Sequence, residues 1–427
     1  MFIIKERLNL KLEKIVLENG LRILYEENPT AKSCYMGIWV ASGSRYENDK
    51  TSGISHFIEH IAFKGTKTRS ASDIARESDF MGGGLNAYTD KEVTCFYSRV
   101  LEKDAVKSLD ILCDMLKNTR LDPNDIELEK GVVKEEIAMY ESSPTDLCMD
   151  LFYYNTYNKS SLGRYVLGTR QTVSSFTAEM IREHMKKYYA PNRMVIAFAG
   201  AFPKDEMIAK CKEYFGSMER GEETLSMPEE IYEEKIITVE KDFEQNCVVL
   251  GFPGISMADD NIQVYRLMAS MLGGSTSSRL FRAVREERGL VYSIDSFMTS
   301  FINTGVFNIA ISVSSENEKE AVKTAIDVIK DFPETVTQDE LNLAKAQYLA
   351  GLIMALESSG ARASRFGTTQ IFLNKDFNED ELVEKVNKVT LDDVKNAARR
   401  VTDFSKCSVC AVGHTAGEKF YNKVVRN

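Results

Sequence analysis

A basic excess is missing from this chain. Lysine and arginine total 54 against 64 aspartates and glutamates, a formal net charge of −10. That balance argues against a nucleic-acid binder, which usually shows a basic excess or a basic stripe. An acidic surface can steer cationic peptides inward, although it also serves plain solubility. No apolar run approaches the ~18 residues that span a bilayer, so no membrane segment is expected. The longest candidates, such as Met194 to Phe202, have the length of buried strands. Low-complexity and mucin-like tracts are absent as well. The N-terminal stretch MFIIKERLNLKLEK has no apolar core and no small-residue cleavage site, and Glu6 and Glu13 do not suit an organelle transit peptide. A disulfide framework is missing too. The eight cysteines are scattered through a large chain, which fits a reducing compartment and a cytoplasmic location. Cys407 and Cys410 form C-x-x-C in a β-rich run. Side chains three apart on a strand face opposite ways, so no metal or redox site is expected there.

The 427 residues exceed one ordinary core and point to two domains of about 200 residues each. Hydrophobic residues at 43% and charged residues at 28% are ordinary globular usage. In the first half, Lys14–Leu17 and Leu21–Tyr25 flank Glu18-Asn19-Gly20, and Asn-Gly predicts a two-residue hairpin turn. Cys34–Ala41 reads as a buried strand, and Ser52 or Thr51 can cap a helix running through Ile61. A helix over Ser70–Phe80 ends at Gly82-Gly83-Gly84, and strand chemistry follows over Leu85–Val100. Asp122 and Pro123 start a helix through Tyr140, and Met194–Gly200 is a strand. The polar, acidic stretch Ser217–Glu230 reads as a linker. Beyond it the order of strands and helices resembles the first half, with little residue identity. The expected division is a domain at 1–216, a linker at 217–232 and a domain at 233–427. The expected class is α+β, each half a mainly antiparallel sheet with helices on one face.

Histidine is scarce: His56, His60, His184 and His414 are the whole complement. Two of the four stand four apart in His56-Phe57-Ile58-Glu59-His60, on a segment read as helical. Residues i and i+4 share a helix face, so both imidazoles can reach one ion, and Glu59 projects nearby toward a bound water. A catalytic zinc needs three protein ligands and one open position. The third could come from Lys134-Glu135-Glu136-Ile137, where local chemistry does not separate Glu135 from Glu136. Glu129 stands seven positions before Glu136, two turns away on the same face, and could support the ligand or the water. The plainer alternative is a pair of surface histidines and solvated glutamates.

H-x-x-E-H is the inverzincin signature. Three further stretches accompany it: Gly82-Gly83-Gly84-Leu85-Asn86-Ala87-Tyr88-Thr89 with Glu92, Glu129 through Ile137, and Gly273-Gly274-Ser275-Thr276-Ser277-Ser278-Arg279-Leu280-Phe281 continuing to Tyr292. Together they make the chain resemble the pitrilysin/insulinase family of zinc peptidases. The likeness is strongest to the short branch that includes the β subunit of mitochondrial processing peptidase and bacterial processing-protease-like proteins. In that family the third ligand lies 76 positions beyond the second histidine, which selects Glu136. The resemblance implies one zinc per chain on His56, His60 and Glu136, Glu59 as general base and Glu129 as a supporting carboxylate. It further implies that Arg285 and Tyr292 reach the bound peptide and that the strand with Asn86 and Ala87 pairs with its backbone. Without the family, Arg285 reads as a helix-end arginine, Tyr292 as a core tyrosine and Asn86 as a turn residue. The expected protein is a metalloendopeptidase working on peptides in an enclosed chamber, as a homodimer. The alternative is a non-catalytic scaffold that binds peptides. A purely structural zinc would be closed by four protein ligands instead.

Overall fold

The computed structural model describes residues 10–222 and 229–426. The start of the N-terminal stretch and positions 223–228 of the expected linker lie outside the described residues. Among the described residues, eleven strands form two sheets. The first holds β1 (Glu13–Val16), β2 (Arg22–Glu27), β3 (Ser33–Val40), β4 (Leu85–Thr89), β5 (Thr94–Leu101) and β6 (Met194–Gly200), in the order β1-β2-β6-β3-β5-β4. The second holds β7 (Ile236–Glu240), β8 (Asn246–Pro253), β9 (Val291–Ser300), β10 (Gly305–Val313) and β11 (Ser408–Gly413), in the order β7-β11-β8-β10-β9.

Without β1, the two orders are the same. Strand β2 matches β7, β3 matches β8, and so on in chain order. Each sheet is antiparallel except at one place, β2 with β6 and β7 with β11. The likeness between halves is therefore a repeat of topology, and the class is α+β.

Local chemistry explains most elements. β6 is buried along its whole length, so its sequence MVIAFAG is a continuous apolar run rather than an alternation. The hairpin turn differs from the expected two-residue loop. Gly20, at φ 87°, donates its N–H to the Leu17 carbonyl, and Leu17 bonds back to Leu21. Three residues thus make the loop, with glycine in the left-handed position that such loops require.

Five helices of the first half are α1 (Ile54–Ala62), α2 (Ala71–Met81), α3 (Ala105–Asn118), α4 (Pro123–Ser142) and α5 (Pro144–Thr156). Ser70 and Asp73 form a capping box on α2, and Gly82, at φ 65°, ends it.

The chain divides into two compact units that do not follow the 217–232 division. The first contains the chain up to Glu135, a stretch from Tyr165, and Met354–Phe377; the second contains Glu136–Arg164, a stretch up to Ile353, and the chain from Asn378. The boundary cuts α4, which is one continuous helix. Each unit thereby includes a helix from the opposite half of the sequence. In the first, the helix Ser359–Leu373 packs on β3 and β6, with Gly367 so close to Trp39 that a Cβ would meet the indole at 2.4 Å. In the second, α5 packs on β8 and β11, and a Cβ on Gly251 would meet the Phe152 ring at 2.1 Å.

All eight cysteines are free and buried. Cys407 belongs to the core cluster on one side of the second sheet and Cys410 to the cluster under α5, so the two thiols face opposite ways. No helix among the described residues is long and apolar enough to cross a membrane.

Candidate metal centre

Helix α1 begins at Gly53, which sits at φ 91° with the Leu167 carbonyl 2.5 Å from where a Cβ would stand. Only glycine meets both demands. The cap is therefore neither Ser52 nor Thr51. The Glu47 carboxylate takes the N–H groups of Gly53 (2.7 Å) and Ser55 (2.8 Å) instead, placing negative charge at the positive end of the helix. Ile54, Phe57, Ile58 and Ile61 are buried. At 3.6 residues per turn, the opposite side carries His56, Glu59 and His60. His56 is buried, His60 is partly exposed, and their ring centroids lie 4.5 Å apart.

Helix α4 supplies the carboxylates. Pro123 opens it, and the Asp122 side chain accepts the Asn124 N–H at 2.8 Å. Ligand atoms of His56, His60 and Glu136 all lie within 4.8 Å of one another. Glu135, which local chemistry did not separate from Glu136, is exposed and is not among these residues. Two imidazoles and one carboxylate are a donor set suited to a borderline cation such as zinc, with room for a further ligand.

Glu129, only 3% exposed, lies behind His60. Its Oε1 is 2.8 Å from His60 Nδ1 and its Oε2 is 2.6 Å from Lys64 Nζ. Burial pushes its carboxyl up, but the bonds to His60 and Lys64 outweigh that and hold it below the usual glutamate range. A carboxylate there accepts a hydrogen bond from Nδ1–H and leaves the Nε2 lone pair of His60 for a cation.

Thr89, which closes β4, donates to Glu59 Oε2 at 2.6 Å. Its role escaped the sequence reading, although period two from Leu85 puts Ala87 and Thr89 on one face of β4 and Asn86 and Tyr88 on the other. Just beyond, the Asp90 N–H bonds to the Val93 carbonyl, and Arg45 and Glu92 form a buried ion pair. Arg45 also donates its backbone N–H to the Lys91 carbonyl at 2.8 Å, which pins this turn and the end of β4. Asn86 and Ala87 therefore lie on a strand, not in a turn. Among the described residues, β4 ends the sheet order and pairs with β5 alone, so its other edge has no strand on it there.

Arg285 and Tyr292 lie in the second unit. Arg285 falls in a π-helical turn, Phe281–Glu286, a form that often marks functional positions. Its guanidinium stands 5.0 Å from the Phe281 ring and 6.0 Å from the Tyr292 ring. Tyr292, near the start of β9, is 74% exposed, which overturns the core-tyrosine alternative.

Two copies of one sheet topology, with His56 and His60 on a helix of the first and the Glu136 carboxylate within reach of both, define a repeated α+β protein built around a candidate metal centre. The model described as insulinase, peptidase family M16, matches residues 22–170, and that of the peptidase M16 inactive domain matches residues 175–348. The chain belongs to the insulinase family, M16. An uncharacterised zinc protease of Bacillus subtilis, YmxG, is 38% identical over 91% of this chain and 95% of its own length. One from Rickettsia felis is 34% identical over 93% of this chain and 96% of its own. The crystal structure of a protease from Helicobacter pylori has a TM-score of 0.88 at 21% identity, covering 95% of this chain and 99% of that one. An M16 inactive-domain structure from Pseudomonas fluorescens has the same score at 18% identity, covering 96% and 99%. These two likenesses establish the fold.

Proposed function

We propose that the chain is a zinc metalloendopeptidase acting on peptides or unfolded polypeptide segments. The observation that carries this is the convergence of His56, His60 and Glu136, with Glu59 on the same side of α1. Relatives named zinc proteases at 34–38% identity support the metal and the reaction class. His56, His60 and Glu136 would hold one zinc per chain, which when bound supplies an activated water and a Lewis acid for the scissile carbonyl. Glu59 takes the proton of the attacking water and returns it to the leaving amine. Thr89 holds the Glu59 carboxylate in place for both transfers. Glu129 orients His60 and fixes its tautomer.

Substrate backbone would lie along the outer edge of β4, where Asn86 and Ala87 can form ladder hydrogen bonds that demand little of its sequence. Arg285 and Tyr292 are assigned to the carbonyl oxygens of the substrate and the developing oxyanion. The net charge of −10 favours basic peptides. By family resemblance, the reaction takes place in an enclosed chamber that a second copy of the chain completes. Eight buried, free cysteines support a reducing compartment, and we place the enzyme in the cytoplasm.

The test is hydrolysis of a quenched-fluorescent peptide library. Cleavage should stop on chelation and return with one equivalent of zinc. A zinc-loaded chain that binds peptides but cuts none would establish the scaffold alternative instead.

A further inference from the structure

His184 is buried, yet the mechanism above does not use it. It sits on the helix Ala178–Tyr188, which packs against α1. Its Nε2 lies 3.0 Å from Ser42 Oγ and 3.3 Å from Ser55 Oγ, and the two hydroxyls are 3.3 Å apart. Both serines are fully buried. Burial, with Lys187 and Arg193 adding to it, pushes the imidazole pKa down to about 3, so the ring is neutral. In either tautomer Nε2 then makes one hydrogen bond with this pair, as acceptor or as donor.

Ser55 immediately precedes His56. At about 100° per residue, it stands about 40° from Glu59 around α1, on the border between the apolar and metal-facing sides. The burial of Ile54, Phe57, Ile58 and Ile61 contributes energy without a directional polar contact. A buried hydrogen bond is directional, and leaving one of its partners unsatisfied is expensive.

The same cluster also comes close to the general base. The Ser42 carbonyl accepts the Thr94 hydroxyl at 2.9 Å, Thr94 Oγ1 lies 3.4 Å from Thr89 Oγ1, and Thr89 bonds Glu59. Both threonine hydroxyls spend their protons in these bonds, so the Thr94–Thr89 step is proximity only, and the direct hold on α1 is at Ser55.

We propose that His184 is a positioning residue: through Ser42 and Ser55 it fixes the rotation of α1 about its axis, and so the aim of His56, Glu59 and His60. Its link to catalysis rests on the function proposed above; its hold on the helix does not. Catalytic groups need their geometry kept within roughly 10–20°, which calls for supporting hydrogen bonds as well as packing.

The test compares His184→Phe with His184→Gln in the full chain. Phenylalanine keeps a flat ring without the polar atom, while glutamine brings an amide to about the reach of Nε2. Three quantities are read: hydrogen exchange of the α1 amides in metal-free protein, the visible spectrum of the Co2+-substituted protein, and kcat and KM on a quenched-fluorescent peptide. His184→Phe should exchange about tenfold faster at α1. It should also show a shifted Co2+ spectrum and lose about tenfold in kcat with KM within about twofold, the low end for groups that orient metal ligands. His184→Gln should recover most of each loss. Wild-type behaviour of His184→Phe overturns the proposal, as does a His184→Gln protein impaired to the same degree. If His184→Phe does not fold, Ser55→Ala decides: about threefold faster exchange at α1 supports the proposal and wild-type exchange ends it. A wild-type protein without zinc or hydrolysis would sink the proposed function alone, since exchange in the metal-free protein still judges His184.

Discussion

The two compact units share one strand order but not one chemistry. Between β3 and β4 the first unit places α1, whose outward side carries His56, Glu59 and His60. Between β8 and β9 the second unit places the helix Ile262–Gly273, IQVYRLMASMLG, in which all but Arg266 and Ser270 are buried. The same slot in the same topology holds donor atoms in one unit and apolar core in the other. Backbone architecture is therefore separable from function here, and the difference lies in which side of one helix meets a second helix bearing carboxylates. The peptidase M16 inactive-domain model, which covers most of the second sheet, agrees with that contrast.

The sharpest way to break the comparison is to remove a donor from the first unit. His56→Ala should abolish both zinc binding and hydrolysis, measured by elemental analysis and peptide cleavage; stoichiometric zinc in that variant would remove His56 from the ligand set. Glu59→Gln should keep zinc and lose about 10²–10⁴-fold in kcat. Cleavage at the wild-type rate would show that some other group moves the proton. In the second unit, Leu267→Ala should lower stability by about 2–5 kcal/mol, because Leu267 is fully buried, and leave zinc content as in the wild type. Denaturant unfolding and metal analysis on the same sample check this, and a loss of zinc at full folding would tie the two slots together. Glu129→Gln should weaken zinc affinity by about 10–100-fold with the ligands intact. Competition with a chelator measures it, and unchanged affinity would reduce Glu129 to a partner of Lys64.

The smallest effect concerns Asp114, a structural carboxylate of the first unit. Burial pushes its carboxyl up, but bonds from Thr66, Asn118, Thr68 and Arg69 prevail and hold it below the usual range. A group with a lowered folded pKa stabilises the fold above its unfolded pKa, near ~3.9 for aspartate, and that contribution fades as pH falls through the folded value. Asp114→Asn should cost about 1 kcal/mol at neutral pH, and the gap from wild type should close below about pH 4. A pH-independent gap in urea unfolding would assign the loss to shape rather than charge.

Much of the first unit was legible in the sequence because its signals are local. The apolar run Met194–Gly200, the helix signal over Ser70–Phe80, the glycines at 82–84 and Pro123 act within a few residues, and the elements they predict occur. The start of α1 was misread because its cap, Glu47, comes from a loop several residues upstream and its first residue follows a glycine held at positive φ. The fourfold spacing of His56 and His60 was visible for the same local reason. The exclusion of Glu135 needed the orientation of α4 against α1, which sequence spacing does not encode.

By itself, then, the sequence determined the helix and strand signals and the pairing of two histidines on one helix side. Tertiary structure alone decided that Ser359–Leu373 joins the first sheet and α5 the second, that Thr89 holds Glu59, and that Ser42, Ser55 and His184 meet. The physical reason is range. Helix periodicity, caps and turns are settled over a few residues, whereas these contacts join positions tens to hundreds of residues apart, and packing fixes them only once both partners are folded.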